Sequence, residues 1–211
     1  MSRWIDITRP MDDNLLCWPG RRPPRRVWEK TIAKGHHCNV SQWSFGAHTG
    51  THIDAPLHFV DGGASIDRVS PDMLIGPCRV IGLESAEQAP LDLAAVQPCC
   101  GEQRLLIRTH HGEATTRSTI LHYEPHDALL SPDASRFLLD HGLAVLGTDR
   151  LSVDDSRGDG FDVHHLVLER GGVIIEGLDL SQVAPGSYEL HATPLRLAGA
   201  EASPARVLLH Q

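Results

Sequence analysis

The sequence predicts one α/β domain over residues 1–211. Three observations predict it. In the second half, helical segments alternate with short apolar, β-branched runs, which is the pattern of an α/β domain. At 211 residues, 41% of them hydrophobic, the chain can bury one sizeable core. No internal repeat or low-complexity segment divides it.

Taken in order, residues 3–8 read as a short strand. The segment from Cys17 to Arg26 holds three prolines and four arginines. Prolines exclude a helix there and leave a loop or extended arm. Trp18 in this arm is either its core anchor or an aromatic wall for a ligand pocket. The arginines are either a solvated face or a contact to a partner subunit. Residues 38–47 resume a strand. Asp61-Gly62-Gly63 is a turn, and Ser70-Pro71-Asp72 caps a helical turn. Residues 78–83 form a buried strand, 91–96 a short helix and 104–109 a further strand. Residues 110–130 have no clear pattern, and their His110, His111, His122 and His126 read as surface or capping groups. Ser131-Pro132-Asp133 opens a helix that Gly142 ends. Residues 143–148 form a strand, 149–160 a polar loop and 161–170 a helix stopped by Gly171-Gly172. Val173 to Glu176 is a strand ending in a carboxylate. Residues 188–197 and 205–210 are the last strands.

Composition narrows the function classes. The formal charge is −8 with a pI near 5.9, and no basic run interleaves with aromatics, so nucleic acid is not an expected partner. The first residues lack an apolar signal segment, and no run reaches the roughly 18 apolar residues that span a bilayer. A cytoplasmic protein without membrane contact is expected. The five cysteines are odd in number and contain no C-x-x-C. They suggest neither a disulfide framework nor a zinc knuckle, and Cys99 and Cys100 cannot readily bridge to one another.

The richest stretch runs from His48 to Phe59: His48-Thr49-Gly50-Thr51-His52-Ile53-Asp54-Ala55-Pro56-Leu57-His58-Phe59. In an extended chain side chains alternate faces. His48, His52 and Asp54 would then share one face, with Gly50 leaving room for an ion. Pro56 ends regular pairing, and His58 follows on a loop that can turn back over the same face. Two imidazoles and a carboxylate suit zinc, manganese or iron better than magnesium or calcium. Three protein ligands leave a position open, as catalytic sites do. Glu176 needs a partner because it ends a buried strand. His164 or its neighbour His165 can approach it across the glycine turn. Other chemistries lack their motifs: there is no G-x-S-x-G, no G-x-x-x-x-G-K-[ST] and no H-E-x-x-H.

The His48–Phe59 stretch resembles the H-x-G-T-H-x-D-x-P-x-H signature of the metal-dependent cyclase-like hydrolases, and most closely their bacterial kynurenine formamidase branch. Gly76-Pro77-Cys78-Arg79-Val80-Ile81, Gly147-Thr148-Asp149, His164-His165 and Ile175-Glu176-Gly177-Leu178 are also similar to that branch. So are Gly186 to Leu190 and Ser203 to Arg206, so the match is scattered from Trp4 to Val207. The resemblance implies a swivelling β/β/α-type domain with a mixed β-sheet and flanking helices, assembled as a homodimer. It implies a two-metal centre, zinc or manganese. His48, His52 and Asp54 would hold one ion; Asp54, His164 and Glu176 would hold the other. The family's spacing of twelve residues between ligand His and ligand Glu selects His164. His58 matches the proton-transfer group and Trp18 the substrate-contacting tryptophan.

The implied reaction is hydrolysis of N-formyl-L-kynurenine, a small aromatic amide, to formate and L-kynurenine. Two departures bear on the substrate and not on the metal set. Arg21 stands where the formamidases carry Asp after Trp-Pro-Gly. Asp149-Arg150-Leu151-Ser152 replaces a loop that tends to read Thr-Pro-Ser after the Asp. They motivate two alternatives: a relative that opens a cyclic amide such as isatin, and a binding protein without turnover.

Overall fold

The central strands are buried on both faces, and alternation of their side chains between two cores decides how the fold is layered. The structure, a computed structural model, describes residues 3–18, 20–83, 89–109, 127–155, 157–158 and 160–211. Its strands are β1 (Trp4–Asp6), β2 (Arg25–Lys30), β3 (Val40–Ser44), β4 (His52–Asp54), β5 (Ile75–Gly82), β6 (Arg104–Arg108), β7 (Val145–Thr148), β8 (Val173–Glu176), β9 (Gly186–Pro194) and β10 (Ala202–His210). The helices are α1 (Pro71–Leu74), α2 (Leu93–Val96), α3 (Pro132–Asp140) and α4 (Asp162–Glu169).

The main sheet has the order β1-β10-β4-β8-β7-β6-β5-β9. Strands β5 to β8 run parallel, and β4, β9 and β10 join antiparallel. β10 pairs with β4 through Ala202–Pro204 and with β9 through Ala205–His210. The sheet therefore closes into a barrel, which leaves few free edges. A mixed sheet with flanking helices is the expected architecture; its closure is a feature that the strand pattern does not predict.

Alternation fills both faces of this sheet. Cys78, Val80, Leu106, Val145, Val173, Ile175, Tyr188, Leu190, Val207 and Leu209 point into the barrel and pack with Ile7 and Ile53. Leu105, Ile107, Leu146 and Ile174 point outward and meet Val96, Ala134, Leu138, Val163, Val167 and Leu168 of the helices. The caps expected from the sequence hold: Ser70 Oγ accepts from the Asp72 N–H at 3.3 Å, and Ser131 Oγ from the Ala134 N–H at 3.2 Å.

One strand that the sequence pattern does not predict begins at the end of the arm. Arg25–Lys30 forms a separate two-stranded ribbon with β3. All six of its residues are exposed, so no buried face marks it by alternation. His110, His111, His122 and His126 lie outside the described residues.

Candidate metal centre

β4 and β8 set the floor of the site. In their antiparallel register His52 lies opposite Glu176, Ile53 opposite Ile175, and Asp54 opposite Ile174. Ile53 and Ile175 belong to the barrel interior. His52, Asp54 and Glu176 must then face outward, toward α4. That helix turns Val163, His164, Val167 and Leu168 inward. His164 and His165 are thereby separated: His164 is 4% exposed and sits over the strands, while the imidazole of His165 is solvent-facing and pairs with Glu169 at 3.1 Å.

The four buried groups converge. His52 Nε2 lies 3.5 Å from Asp54 Oδ1 and 3.6 Å from Glu176 Oε2. His164 Nε2 lies 3.6 Å from Asp54 Oδ2 and 3.4 Å from Glu176 Oε1. Asp54 is 0% exposed, yet neither of its oxygens, nor His52 Nε2, takes a hydrogen bond of proper geometry. Buried polar atoms are seldom left so. Unsatisfied nitrogen and oxygen donors, with His52, Asp54 and Glu176 atoms all within 4.8 Å of one another, fit a divalent metal ion.

The remaining atoms of these side chains are held from outside. His52 Nδ1 contacts the Gly50 carbonyl at 2.8 Å, which leaves Nε2 as the free ligand atom. Glu176 Oε1 accepts the Val153 N–H at 3.0 Å. Asp154 contacts His164 Nδ1 at 2.6 Å, and its two oxygens accept the backbone N–H groups of Val163 and His164 at 2.8 and 3.0 Å. It caps α4 and orients the imidazole at once. Sequence reasoning passed over Asp154, which stands in a polar loop with no spacing to mark it.

His48 arrives by another route than strand alternation. Only His52–Asp54 is strand; residues 47–51 turn, with Gly50 at φ 66°. Gly50 does not face an ion either, since a Cβ there would meet Leu15 at 3.1 Å. Its backbone instead abuts Gly177, where a Cβ would lie 2.5 Å from the Gly50 carbonyl oxygen. Thr51 Oγ1 donates to the Gly177 carbonyl at 2.6 Å and binds this turn to the end of β8. The turn delivers His48 Nδ1 to 2.8 Å from Asp54 Oδ1, with Nε2 3.5 Å from Glu201 Oε1. His58 follows in a 3-10 turn over Pro56–His58, its ring centroid 4.2 Å from that of His48. His48, Asp54 and His58 form a second set able to hold an ion.

Charge is tightly managed here. Burial alone would raise the Asp54 carboxyl, but His52, His164 and His48 outweigh it and hold the group well below the usual range. Burial opposes the charged form of His164, yet Asp154, Asp54 and Glu176 keep it well above its ordinary value. His58 goes the other way. Burial pushes it down to about 4, and the opposing pull of Asp54 is blunted by His48, His164 and His52.

Residues 5–155 match the Cyclase family model. The chain belongs to the cyclase family. Among curated members, the kynurenine formamidase of Geobacillus thermodenitrificans is 37% identical over 100% of this chain and 99% of its own length. That of Paracidovorax citrulli is 36% identical, covering 97% of this chain and 94% of the relative. Among solved structures, a predicted metal-dependent hydrolase from Bacillus stearothermophilus superposes with a TM-score of 0.80 at 28% identity, covering 100% of this chain and 98% of the other. Isatin hydrolase A from Ralstonia solanacearum shares the fold, with a TM-score of 0.83 at 22% identity over 99% and 92% of the two chains.

In this cyclase-family chain the cluster opens into a cavity of about 900 Å³. His48, His52, His58, His164 and Glu176 line it, with Trp18, Phe45, Phe59 and Phe161 as its aromatic walls. Trp18 is among the residues that line this cavity. Glu201, a residue that sequence reasoning missed, lines the same cavity beside His48. No helix of the described residues is long and apolar enough to cross a membrane.

Proposed function

We propose that this chain hydrolyses N-formyl-L-kynurenine to formate and L-kynurenine. One observation carries the reading: a buried His52, Asp54, Glu176 and His164 cluster with unsatisfied ligand atoms opens into an aromatic-walled cavity. Full-length relatives named kynurenine formamidase support it. His48, His52 and Asp54 would hold one ion and Asp54, His164 and Glu176 a second, with Asp54 between them. Two Zn2+ per subunit fit this donor set, and Mn2+ is the alternative. Such ions lower the pKa of water and polarise a carbonyl oxygen.

The side chains supply the rest. His58 is neutral at pH 7, because burial depresses it to about 4. In that state its free ring nitrogen takes a proton from the attacking water and returns it to the departing aniline nitrogen. Trp18 and Phe59 enclose the aromatic ring of the substrate. Phe59 is itself held against His164 and Phe161, with ring centroids 4.8 and 5.2 Å away.

The working protein is a cytoplasmic homodimer in this reading. On the ribbon, Arg26 stacks over Trp28 and Trp43, both substantially exposed, and such a face suits a second copy. The free cysteines suit a reducing compartment. The test is hydrolysis of N-formyl-L-kynurenine and isatin side by side, on protein reconstituted in turn with zinc and manganese. Turnover of the formamide is expected; turnover of isatin alone, or of neither, overturns the proposal. Sedimentation checks the dimer.

A further inference from the structure

The β2–β3 ribbon turns one face to the cavity and the other to solvent. Arg25 pairs with Ser44 and Val27 with Gln42. These four residues all line the cavity. Arg26, Trp28 and Trp43 are on the opposite face by alternation. The arm that precedes the ribbon adds Arg21 and Arg22 to the same cavity lining. Three arginines from five consecutive positions thus line one opening. They are exposed, whereas His52, His164 and Glu176 below them are buried. They stand at the rim and the cluster at the floor.

The rim is charged against the trend of the chain. The formal net charge is −8, yet none of Arg21, Arg22 and Arg25 makes a side-chain ion pair among the described residues. Some exposed arginines elsewhere do pair: Arg206 with Asp6, Arg170 with Asp140, Arg157 with Asp155. The carboxylates of the cavity are otherwise engaged, Glu201 with His48 and Glu176 with His52 and His164. Guanidinium presents a planar fork of donors that matches a carboxylate. The histidines, Trp18, Phe45 and these arginines line one continuous cavity.

We propose that Arg21, Arg22 and Arg25 form a carboxylate-recognition rim that makes the site selective for aryl amides carrying an anionic tail. The inference deepens the formamidase reading and rests on the same cavity. It accounts for specificity by positioning, with no part in bond cleavage.

The test compares substrates that differ only in the tail. 4-(2-Formamidophenyl)-4-oxobutanoate, the deaminated analogue of N-formyl-L-kynurenine, carries a carboxylate and no ammonium; ortho-formamidoacetophenone keeps the formamide and ring ketone without either. The ratio of kcat/KM for the acidic over the neutral compound is measured on metal-loaded protein for the parent chain and for Arg21→Gln/Arg22→Gln/Arg25→Gln. The ratio is expected to fall about tenfold, through KM. In the parent it is expected to fall with added salt. An unchanged ratio overturns the proposal, and because each protein is its own control, a poorly folded variant does not mimic the result. Calorimetric binding of 4-(2-aminophenyl)-4-oxobutanoate against ortho-aminoacetophenone reads the same preference without turnover. Lost binding preference in the variant with no turnover in either protein sinks the formamidase reading and sustains this one. Turnover without any preference for the acidic compound sinks this one alone.

Discussion

Asp154 Oδ2 lies 2.6 Å from His164 Nδ1 and also accepts that residue's own backbone N–H at 3.0 Å. One buried carboxylate therefore fixes the start of α4 and the ring of a proposed ligand. The contact leaves Nδ1 protonated and Nε2 free toward Asp54 and Glu176. Replacing such a partner weakens metal affinity by about 10- to 100-fold. Asp154→Ala is expected to do so, and to destabilise the fold by about 1–2 kcal/mol through the lost cap. Competition with a chromogenic chelator reads the first effect and denaturant unfolding the second. Full metal affinity in this variant would remove Asp154 from the centre.

Metal removal should destabilise the protein as well as silence it. Asp54 and Glu176 are buried beside three imidazoles. An ion that binds the folded chain alone contributes about 2.7 kcal/mol when it is present at a hundred times its Kd. For a chain of this size that is a Tm shift of about 5–10 °C. Excess chelator is expected to lower Tm by that amount. Asp54→Asn should show no chelator response, because the proposed bridging ligand is weakened at both ions. Calorimetric scans with and without chelator decide it, and an equal response in both proteins would count against Asp54.

His58 admits two roles, and one substitution separates them. It stacks near His48 and could complete an ion site with His48 and Asp54. Its depression to about 4 by burial favours a neutral base instead. His58→Ala is expected to lower kcat by about 10²–10⁴-fold with metal content unchanged. Loss of one metal equivalent, measured by elemental analysis, would make His58 a ligand.

The sequence made the centre legible where chemistry repeats at short range. His48, His52, Asp54 and His58 fall within eleven positions, so any local fold brings them near one another. A glycine turn, not strand alternation, delivers His48, because only His52–Asp54 is strand. The residues alone left His164 and His165 open, and only the family's spacing favoured His164; in the structure Val163, His164, Val167 and Leu168 share the buried face of the helix. Asp154 and Glu201 were not readable. Each acts through a contact made in three dimensions, to a helix start and to a distant turn, and neither contact leaves a periodic trace. β2 was hidden because a strand without a buried face carries no alternation of polarity. Barrel closure depends on β9 meeting β10 and β4 meeting β10, pairings that no single segment encodes.

The Gly50–Gly177 contact predicts an unforgiving position. Gly177 has φ 68° and its missing Cβ would stand 2.5 Å from the Gly50 carbonyl oxygen, a backbone atom that cannot swing aside. Gly177→Ala must move the end of β8 and with it Glu176. A loss of about 2–4 kcal/mol is expected, with weakened metal binding. Gly142→Ala is the control, because it has φ 100° but nothing within 4 Å of its would-be Cβ. It should lose only the conformational part, about 1 kcal/mol. Equal losses in the two variants would mean that the close approach contributes nothing.

Asp149 predicts a pH dependence that the metal centre does not supply. Burial raises its carboxyl to about 6, although it accepts the Thr109 side-chain hydroxyl at 2.7 Å and backbone N–H at 3.0 Å, and Arg9 and Arg150 are nearby. An acid whose folded pKa is raised binds its proton more tightly in the folded chain. Between about pH 4 and pH 6 the folded state holds a proton that the unfolded state has released. Stability from this group is therefore full below pH 4, falls as pH rises through 6, and is level above it. The span is about 2–3 kcal/mol at most. Asp149→Asn keeps a carbonyl acceptor for Thr109 and cannot titrate. The difference in unfolding free energy, parent minus variant, should fall from pH 4 to pH 7 when both are followed by urea titration. A flat difference would show that Arg9 and Arg150 hold Asp149 ionised throughout.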